Sequence, residues 1–370
     1  MLSDCYPPRL GGIETQVHDL AHALVAAGHE VEVFTATTGS QGQRFGTQVD
    51  EGGVVVHRFA IPLPGGIPVN PFAPTEIGRR LTAGRFDVAH GHMGIVSPFA
   101  TSLVPLAQRL GLPTAVTWHC VIDRSAPWLR LVGRARRWAE RGAALSAVSR
   151  MAADRVEAVC GAPVSVLGNG IDATWWRRPG KAAPGQGTPE QAVRVVSAIR
   201  LARRKRPLAT LEVLARAREL LDPEVAFTAT VFGDGPQRPH LERRVGQSMP
   251  WVRLAGRVSR EELRTAYWES DIYLSTARLE SFGIAALEAR AAGLIVLARG
   301  GTGVEDFIAD GRDGFFGDSD EALAARLARL VSDGAARTGI QAHLAATAVP
   351  NAWPDMVLAT VAEYSRAGAG

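Results

Sequence analysis

Cysteine is scarce: the 370 residues contain three, Cys5, Cys120 and Cys160, far apart. That excludes a disulfide framework and a CxxC metal site, and a reducing cytoplasm is the plain reading. Lysine is scarcer still. Of 41 basic residues only Lys181 and Lys205 are lysines; arginine is the default cation, so a lysine surrounded by arginines, as Lys205 is, is mildly informative. No apolar run reaches the roughly 18 residues that a membrane span requires, and no basic, apolar and small-residue leader opens the chain. No GxGxxG follows a strand pattern, which counts against a dinucleotide dehydrogenase. The net charge of +4 is small for this length. It argues against a dedicated nucleic-acid binder, which usually carries a strong basic stripe, so no nucleic-acid partner is expected.

What remains is an apolar-rich chain, 46% apolar and 21% charged, with core enough for two domains. Short β-branched runs alternate with amphipathic patterns. Strands are predicted at Glu30–Ala36, Phe86–His92, Pro113–His119 and Ala144–Ser149, with helices such as Glu14–Ala27 and Pro98–Leu110 between them. A Gly/Pro-rich stretch, Gly168–Gln191, reads as a linker. The alternation then restarts at Val193–Ile199, Ala226–Gly233, Trp251–Gly256, Asp271–Thr276 and Leu294–Arg299. Strands alternating with helices predict parallel sheets. The division is therefore 1–167, a linker over 168–191, a second domain over 192–350, and a closing helix over 351–370 that crosses back. Only five residues precede the first loop, "YPPRLGG". An abbreviated first strand, leaving a sheet edge poorly filled, is the expectation.

Three constellations could carry chemistry. In "LESFGIAALEAR" a helix begins near Phe282, Gly283 and Ile284, after Ser281. Its free amides and positive dipole end suit a phosphate, and glycine admits a close approach. Glu280 and Glu288 flank that end, and carboxylates accept hydrogen bonds from vicinal hydroxyls. In "AIRLARRKRPL" five of the seven residues from Arg200 to Arg206 are basic, just before a helix opened by Pro207. Such a run is usually merely solvated; at a strand's carboxyl end it offers a fork and a point charge to a diphosphate. In "YPPRLGGIE" the paired Gly11 and Gly12 precede a helix with Glu14 in its first turn. His119 closes one predicted strand, and His90 and His92 lie on another, where one of the two is expected to face a cleft between the domains. No third ligand accompanies that pair, so no metal site is assigned.

Together these segments resemble the retaining glycosyltransferases of family 4. The likeness runs through "YPPRLGGIE", "FDVAHGH", "TWH", "LGNGID", "IRLARRK", "VFGDGP", "LAGRVSREEL", "DIYLSTARLESFGIAALEARAAG" and "GGTGVEDFI". The E-x7-E spacing of Glu280 and Glu288 is its most specific element. The resemblance implies an α/β GT-B fold, with two Rossmann-like doubly wound domains facing across a cleft. It implies a hexosyltransferase using a GDP-, UDP- or ADP-sugar donor without metal or other cofactor. Arg200 and Lys205 would then hold the diphosphate, and Glu288 the ribose. Glu280 and the amides of Phe282, Gly283 and Ile284 would meet sugar and phosphate. Gly11 and Gly12 would close on the diphosphate, His119 would lie beside the sugar, and Arg257 and Val258, in the loop running to Ser259, would meet the base. Ser281, Arg206 and Leu294 depart from the family's Gly, Gly and Pro.

The acceptor is left open among sugar, lipid and small molecule, in a bacterial cell-envelope or natural-product pathway. A GT-B sugar-nucleotide epimerase, a phosphorylase and an inactive sugar-nucleotide-binding protein remain as alternatives. The segment Asp123–Ala143, with six arginines, Trp128 and Trp138, is expected either to skim an anionic membrane at the inner face of the plasma membrane or to turn its tryptophans inward.

Overall fold

A computed structural model describes residues 1–9, 11–61, 69–122, 129–179 and 192–370, with the backbone alone for 129–133. These form two compact units, Met1–Gly170 with Asn351–Gly370, and Ile171–Pro350.

The first unit carries an eight-stranded sheet among the described residues: β1 Leu2–Ser3, β2 Glu32–Thr35, β3 Phe45–Val49, β4 Val55–Phe59, β5 Ala89–Met93, β6 Thr114–Trp118, β7 Ala144–Ala147 and β8 Ser165–Val166. Their order is β3-β4-β2-β1-β5-β6-β7-β8. All neighbours are parallel except β3 and β4. The abbreviated strand is thus central, and the expectation of a poorly filled edge is corrected. Leu2 and Ser3 pair with Phe34 and Thr35 on one side and with Gly91 and His92 on the other. The chain then turns so that Asp4 accepts the amides of Phe99 and Ala100 at 3.0 and 2.9 Å. These amides belong to the first turn of the helix Pro98–Arg109, where an acid is favoured.

The second unit carries β9 Val193–Ala198, β10 Phe227–Phe232, β11 Val252–Gly256, β12 Ile272–Ser275, β13 Ile295–Arg299 and β14 Gly314–Gly317. The order is β11-β10-β9-β12-β13-β14, parallel throughout. Ile295 to Ala298 are all buried, as a strand covered on both faces requires. The strand order reverses between β9 and β12, and ligands of such sheets gather beyond the carboxyl ends at that reversal. Arg200 and Lys205 follow β9, and Glu280 follows β12.

Two local departures are accommodated in distinct ways. Arg206 has φ 55°, a left-handed conformation costing about 1–2 kcal/mol for a residue with a Cβ. Its guanidinium donates to the Thr276 carbonyl at 3.0 Å and to both carboxylate oxygens of Asp320 at 2.9 and 2.5 Å, which holds the turn. Leu294 uses the N–H that a proline would lack. It donates to Ala289 O at 3.0 Å while Gly293, at φ 91°, donates to Arg290 O at 3.1 Å. The paired bonds close the helix Ile284–Ala291 as a Schellman motif.

The linker reading is corrected at its start. Ile171 and Trp176 are fully buried; Trp176 packs against Tyr267, ring centroids 5.6 Å apart, and its carbonyl accepts Trp268 Nε1 at 2.8 Å. A tryptophan buries too much apolar area to be left in a solvated connection. Residues 180–191 lie outside the described residues. So does Trp128 of the segment proposed to skim a membrane. Trp138, on the helix Leu129–Glu140, is buried against Trp118 at 6.3 Å between rings, so this tryptophan packs inward. Among the described residues no helix is long and apolar enough to cross a membrane.

Candidate functional site

In the second unit, the backbone leaving β9 forms a 3₁₀ turn, Arg203–Lys205, before Pro207 opens the helix Pro207–Glu219. The turn directs Lys205 Nζ to Glu280 Oε2 at 2.5 Å, with the side chains 22% and 18% exposed. A partly buried ammonium and carboxylate thus meet across 75 residues of sequence. Arg200 is exposed and has no side-chain partner among the described residues.

The Glu280 loop is held from behind. Gly303 N donates to Glu280 O at 2.9 Å. A Cβ on Gly303 would lie 2.2 Å from Ser281 O, so only glycine lets the two loops touch. Gly283 caps the following helix at φ 96°. The helix proper starts at Ile284, which makes Ile284 and Ala285 the amides left without intrahelical partners by position. Phe282 lies before it, its ring buried 5.0 Å from Phe307.

Glu288 stands one turn further along and is buried. Its Oε1 lies 3.7 Å from Arg260 Nη2, and the Arg260 guanidinium covers the Trp175 and Trp176 rings at 5.3 and 5.6 Å. Sequence reading missed Arg260. Its local signal was the capping box of Ser259 and Glu262, which starts the helix Arg260–Trp268; the pairing with Glu288 had none. Arg257 is exposed and Val258 half-buried in the turn after β11.

In the first unit, Gly11 caps the helix Gly12–Ala26 in extended conformation, and both glycines are exposed. A Cβ at Gly11 would lie 2.3 Å from Glu14 Oε2. The buried Glu14 carboxylate, 3.3 Å from Arg9, therefore packs where the loop was expected to receive a phosphate. Arg9 supplies the offsetting charge.

His119 follows β6. Its Nδ1 meets Asn169 Oδ1 at 3.2 Å and its Nε2 meets His92 Nδ1 at 3.1 Å. His90 bonds Thr117 Oγ1 at 2.7 Å and Tyr364 OH at 3.1 Å, and its ring lies 4.0 Å from that of His92. The expectation that only one of the pair faces a site is corrected. Residues two apart on a strand share a face, and His90, His92, Thr117, His119 and Asn169 line one pocket. With Asn169 accepting from His119, and His119 from His92, the buried His92 Nε2 carries a lone pair. It has no hydrogen-bond partner among the described residues.

Burial holds all three imidazoles neutral: His90 is pushed down to about 3, His119 to about 4, and His92 well below its ordinary value. An unfolded chain takes up these protons near pH 6.5. Their stabilising contribution is therefore complete above that pH and is lost as the pH falls towards 4 and below. Thermal melts of the wild type should show a midpoint falling steadily between pH 6.5 and 4, by on the order of several kcal/mol of stability. His90→Gln should flatten the slope, and an unchanged slope would contradict the burial.

The description Glycosyltransferase Family 4 matches residues 10–175, and Glycosyl transferases group 1 matches residues 181–343. The D-inositol 3-phosphate glycosyltransferase of Pseudarthrobacter chlorophenolicus is 28% identical, over 96% of this chain and 90% of that protein. The phosphatidyl-myo-inositol mannosyltransferase of Mycolicibacterium smegmatis is 28% identical, over 90% and 84% respectively. Anabaena HepE, solved in complex with UDP, superposes with a TM-score of 0.77 at 16% identity, covering 98% of each chain.

Proposed function

The chain belongs to the glycosyltransferases of family 4, with the GT-B fold, and from that premise we propose that it moves a mannose- or glucose-type hexose from a nucleoside-diphosphate sugar to an acceptor hydroxyl, with retention at the anomeric carbon and without a metal. The observation that carries this reading is the Lys205–Glu280 pair, set beside the N-terminal end of the helix Ile284–Ala291 at the strand-order reversal.

Transfer lengthens the bond from the anomeric carbon to the diphosphate. Negative charge grows on the leaving phosphate and positive charge on the sugar ring. We assign the first to Lys205, Arg200 and the amides of Ile284 and Ala285, since preorganised donors of this kind are usually the largest catalytic term. Glu280 fixes the ammonium and offers its second oxygen to the sugar hydroxyls. Glu288, braced by Arg260, takes the ribose hydroxyls, and the turn carrying Arg257 and Val258 takes the base. A departing phosphate oxygen accepts the acceptor's proton on the same face, which preserves configuration and needs no side-chain nucleophile.

HepE with UDP supports a UDP-sugar among the donors, and the inositol-directed relatives support a polyol acceptor. Three free cysteines fit action on the cytoplasmic side. The test is a panel of GDP-, UDP- and ADP-sugars with inositol phosphate among the acceptors, with the released nucleoside diphosphate quantified and the anomeric configuration read by NMR. Turnover with one donor, retained configuration and indifference to added Mg²⁺ or Mn²⁺ are expected. Binding without turnover would instead identify a sugar-nucleotide-binding protein.

A further inference from the structure

The helix Gly12–Ala26 carries two histidines, His18 and His22, one turn apart. Residues four apart on a helix share a face. Opposite them stands Asp50, at the end of the antiparallel pair β3–β4. One ligand atom from each of the three lies within 4.8 Å of the others, and none of the three is used by the glycosyl-transfer residues above.

Each side chain is oriented through its far atom. His22 Nδ1 faces the His18 carbonyl at 2.8 Å, and a carbonyl only accepts, so this nitrogen carries a proton and Nε2 is the nitrogen left to ligate. That Nε2 faces Asp50 Oδ2 at 3.2 Å. His18 Nδ1 meets Asp19 Oδ1 at 3.0 Å, which likewise leaves Nε2 as its ligand nitrogen. Asp50 Oδ1 accepts the amides of Gly52 and Val54 at 3.1 and 2.9 Å, so Oδ2 is the oxygen turned to the histidines. Engagement of the distal atom by a carboxylate, carbonyl or amide is the arrangement that fixes metal ligands in the correct tautomer and direction.

The loop is also shaped around the imidazole. A Cβ on Gly52 would lie 2.0 Å from His22 Cδ2 and 2.4 Å from its Nε2. The His22 Nε2 and Asp50 Oδ2 atoms, 3.2 Å apart, can share either a proton or a metal ion. Tetrahedral zinc, at about 2.0–2.2 Å from nitrogen and oxygen ligands, sets neighbouring ligand atoms roughly 3.3 Å apart, which this pair already satisfies.

We infer that His18, His22 and Asp50 form a zinc site, three protein ligands and one position for water, that staples the β3–β4 turn to the helix Gly12–Ala26. Two imidazoles and one carboxylate suit Zn²⁺ better than Mg²⁺ or Ca²⁺, which take oxygen ligands. The ion is a tether, separate from the transfer reaction proposed above. The His-x3-His spacing was legible in the sequence; the third ligand, arriving 28 residues later on a turn, was not.

Equilibrium dialysis of the tag-free full chain against Zn²⁺ should retain one equivalent, and Zn²⁺ should raise the thermal midpoint, since an ion that binds only the folded chain stabilises it. His22→Gln and Asp50→Asn should each weaken uptake at least about tenfold and abolish the thermal shift. His18→Ala, at a ring 38% exposed, is the variant that keeps the fold and should do the same. Co²⁺ substitution in the wild type gives a second readout, the intense visible bands of a four-coordinate ion in place of the faint aqua spectrum. No retained zinc, or equal zinc uptake by wild type and His18→Ala, would overturn the assignment without touching the glycosyltransferase reading.

Discussion

Lys205→Ala should lower the turnover number by about a hundredfold, roughly 2.7 kcal/mol of barrier. The ammonium is placed by a short pair with Glu280 and is one of two lysines in the chain, so no neighbouring lysine substitutes for it. Because charge on the leaving phosphate grows only as the bond breaks, the loss should fall on kcat more than on KM. The pair is partly exposed, so the cost to stability should stay within about 1 kcal/mol, and the thermal midpoint should move little. Lys205→Arg should restore only part of the rate, since a planar fork cannot occupy the position of a compact ammonium. Steady-state kinetics on the accepted donor checks all of this. A wild-type rate in Lys205→Ala would remove the diphosphate assignment.

Gly303→Ala should combine a loss of activity of similar size with a loss of stability of about 3 kcal/mol. The added Cβ would meet Ser281 O at 2.2 Å, Ser281 C at 2.6 Å and Phe282 Cα at 2.8 Å. All three are backbone atoms, so no rotamer change relieves the contact. The Glu280–Gly283 segment must shift, and the bond from Gly303 N to Glu280 O must lengthen with it. Denaturant midpoints and kinetics measured together separate this variant from Lys205→Ala, which should move activity alone. A Gly303→Ala protein with wild-type stability would show that the two loops do not touch.

The parallel strands were legible because their apolar runs are short and dense, with burial near-continuous in β12 and β13 and broken only at Arg194 in β9 and at Thr228 and Thr230 in β10: each falls inside a predicted run, with ends differing by a residue or two. The β3–β4 pair was not. Phe45–Val49 is exposed along its whole length, so it has no apolar alternation to read, and its partner declares itself only through pairing. β14 is a four-residue Gly-Phe-Phe-Gly segment, too short for a period. Among the site residues, the sequence marked Lys205, Glu280 and Glu288 by type and spacing, but the contact between Lys205 and Glu280 depends on the order of β9 and β12, which no local pattern encodes. Arg206 and Leu294 departed from the family pattern, and the structure supplies what each needs: an acid for the first, a free carbonyl at the helix end for the second. The linker was misread because glycine and proline outweighed Trp175 and Trp176, although tryptophans rarely sit idle in solvent.

The helix Trp353–Arg366 belongs to the first unit although 180 residues of the second precede it. Val357 is buried with Tyr6, Val17 and Leu20, Tyr364 meets His90, and Arg366 reaches the Leu145 carbonyl at 2.7 Å. Without that helix the first unit lacks part of its interior, so its core cannot close until the chain has passed through the whole of the second unit. The second unit borrows nothing of the kind: its core is drawn wholly from Ile171–Pro350, an uninterrupted stretch lodged inside a divided one.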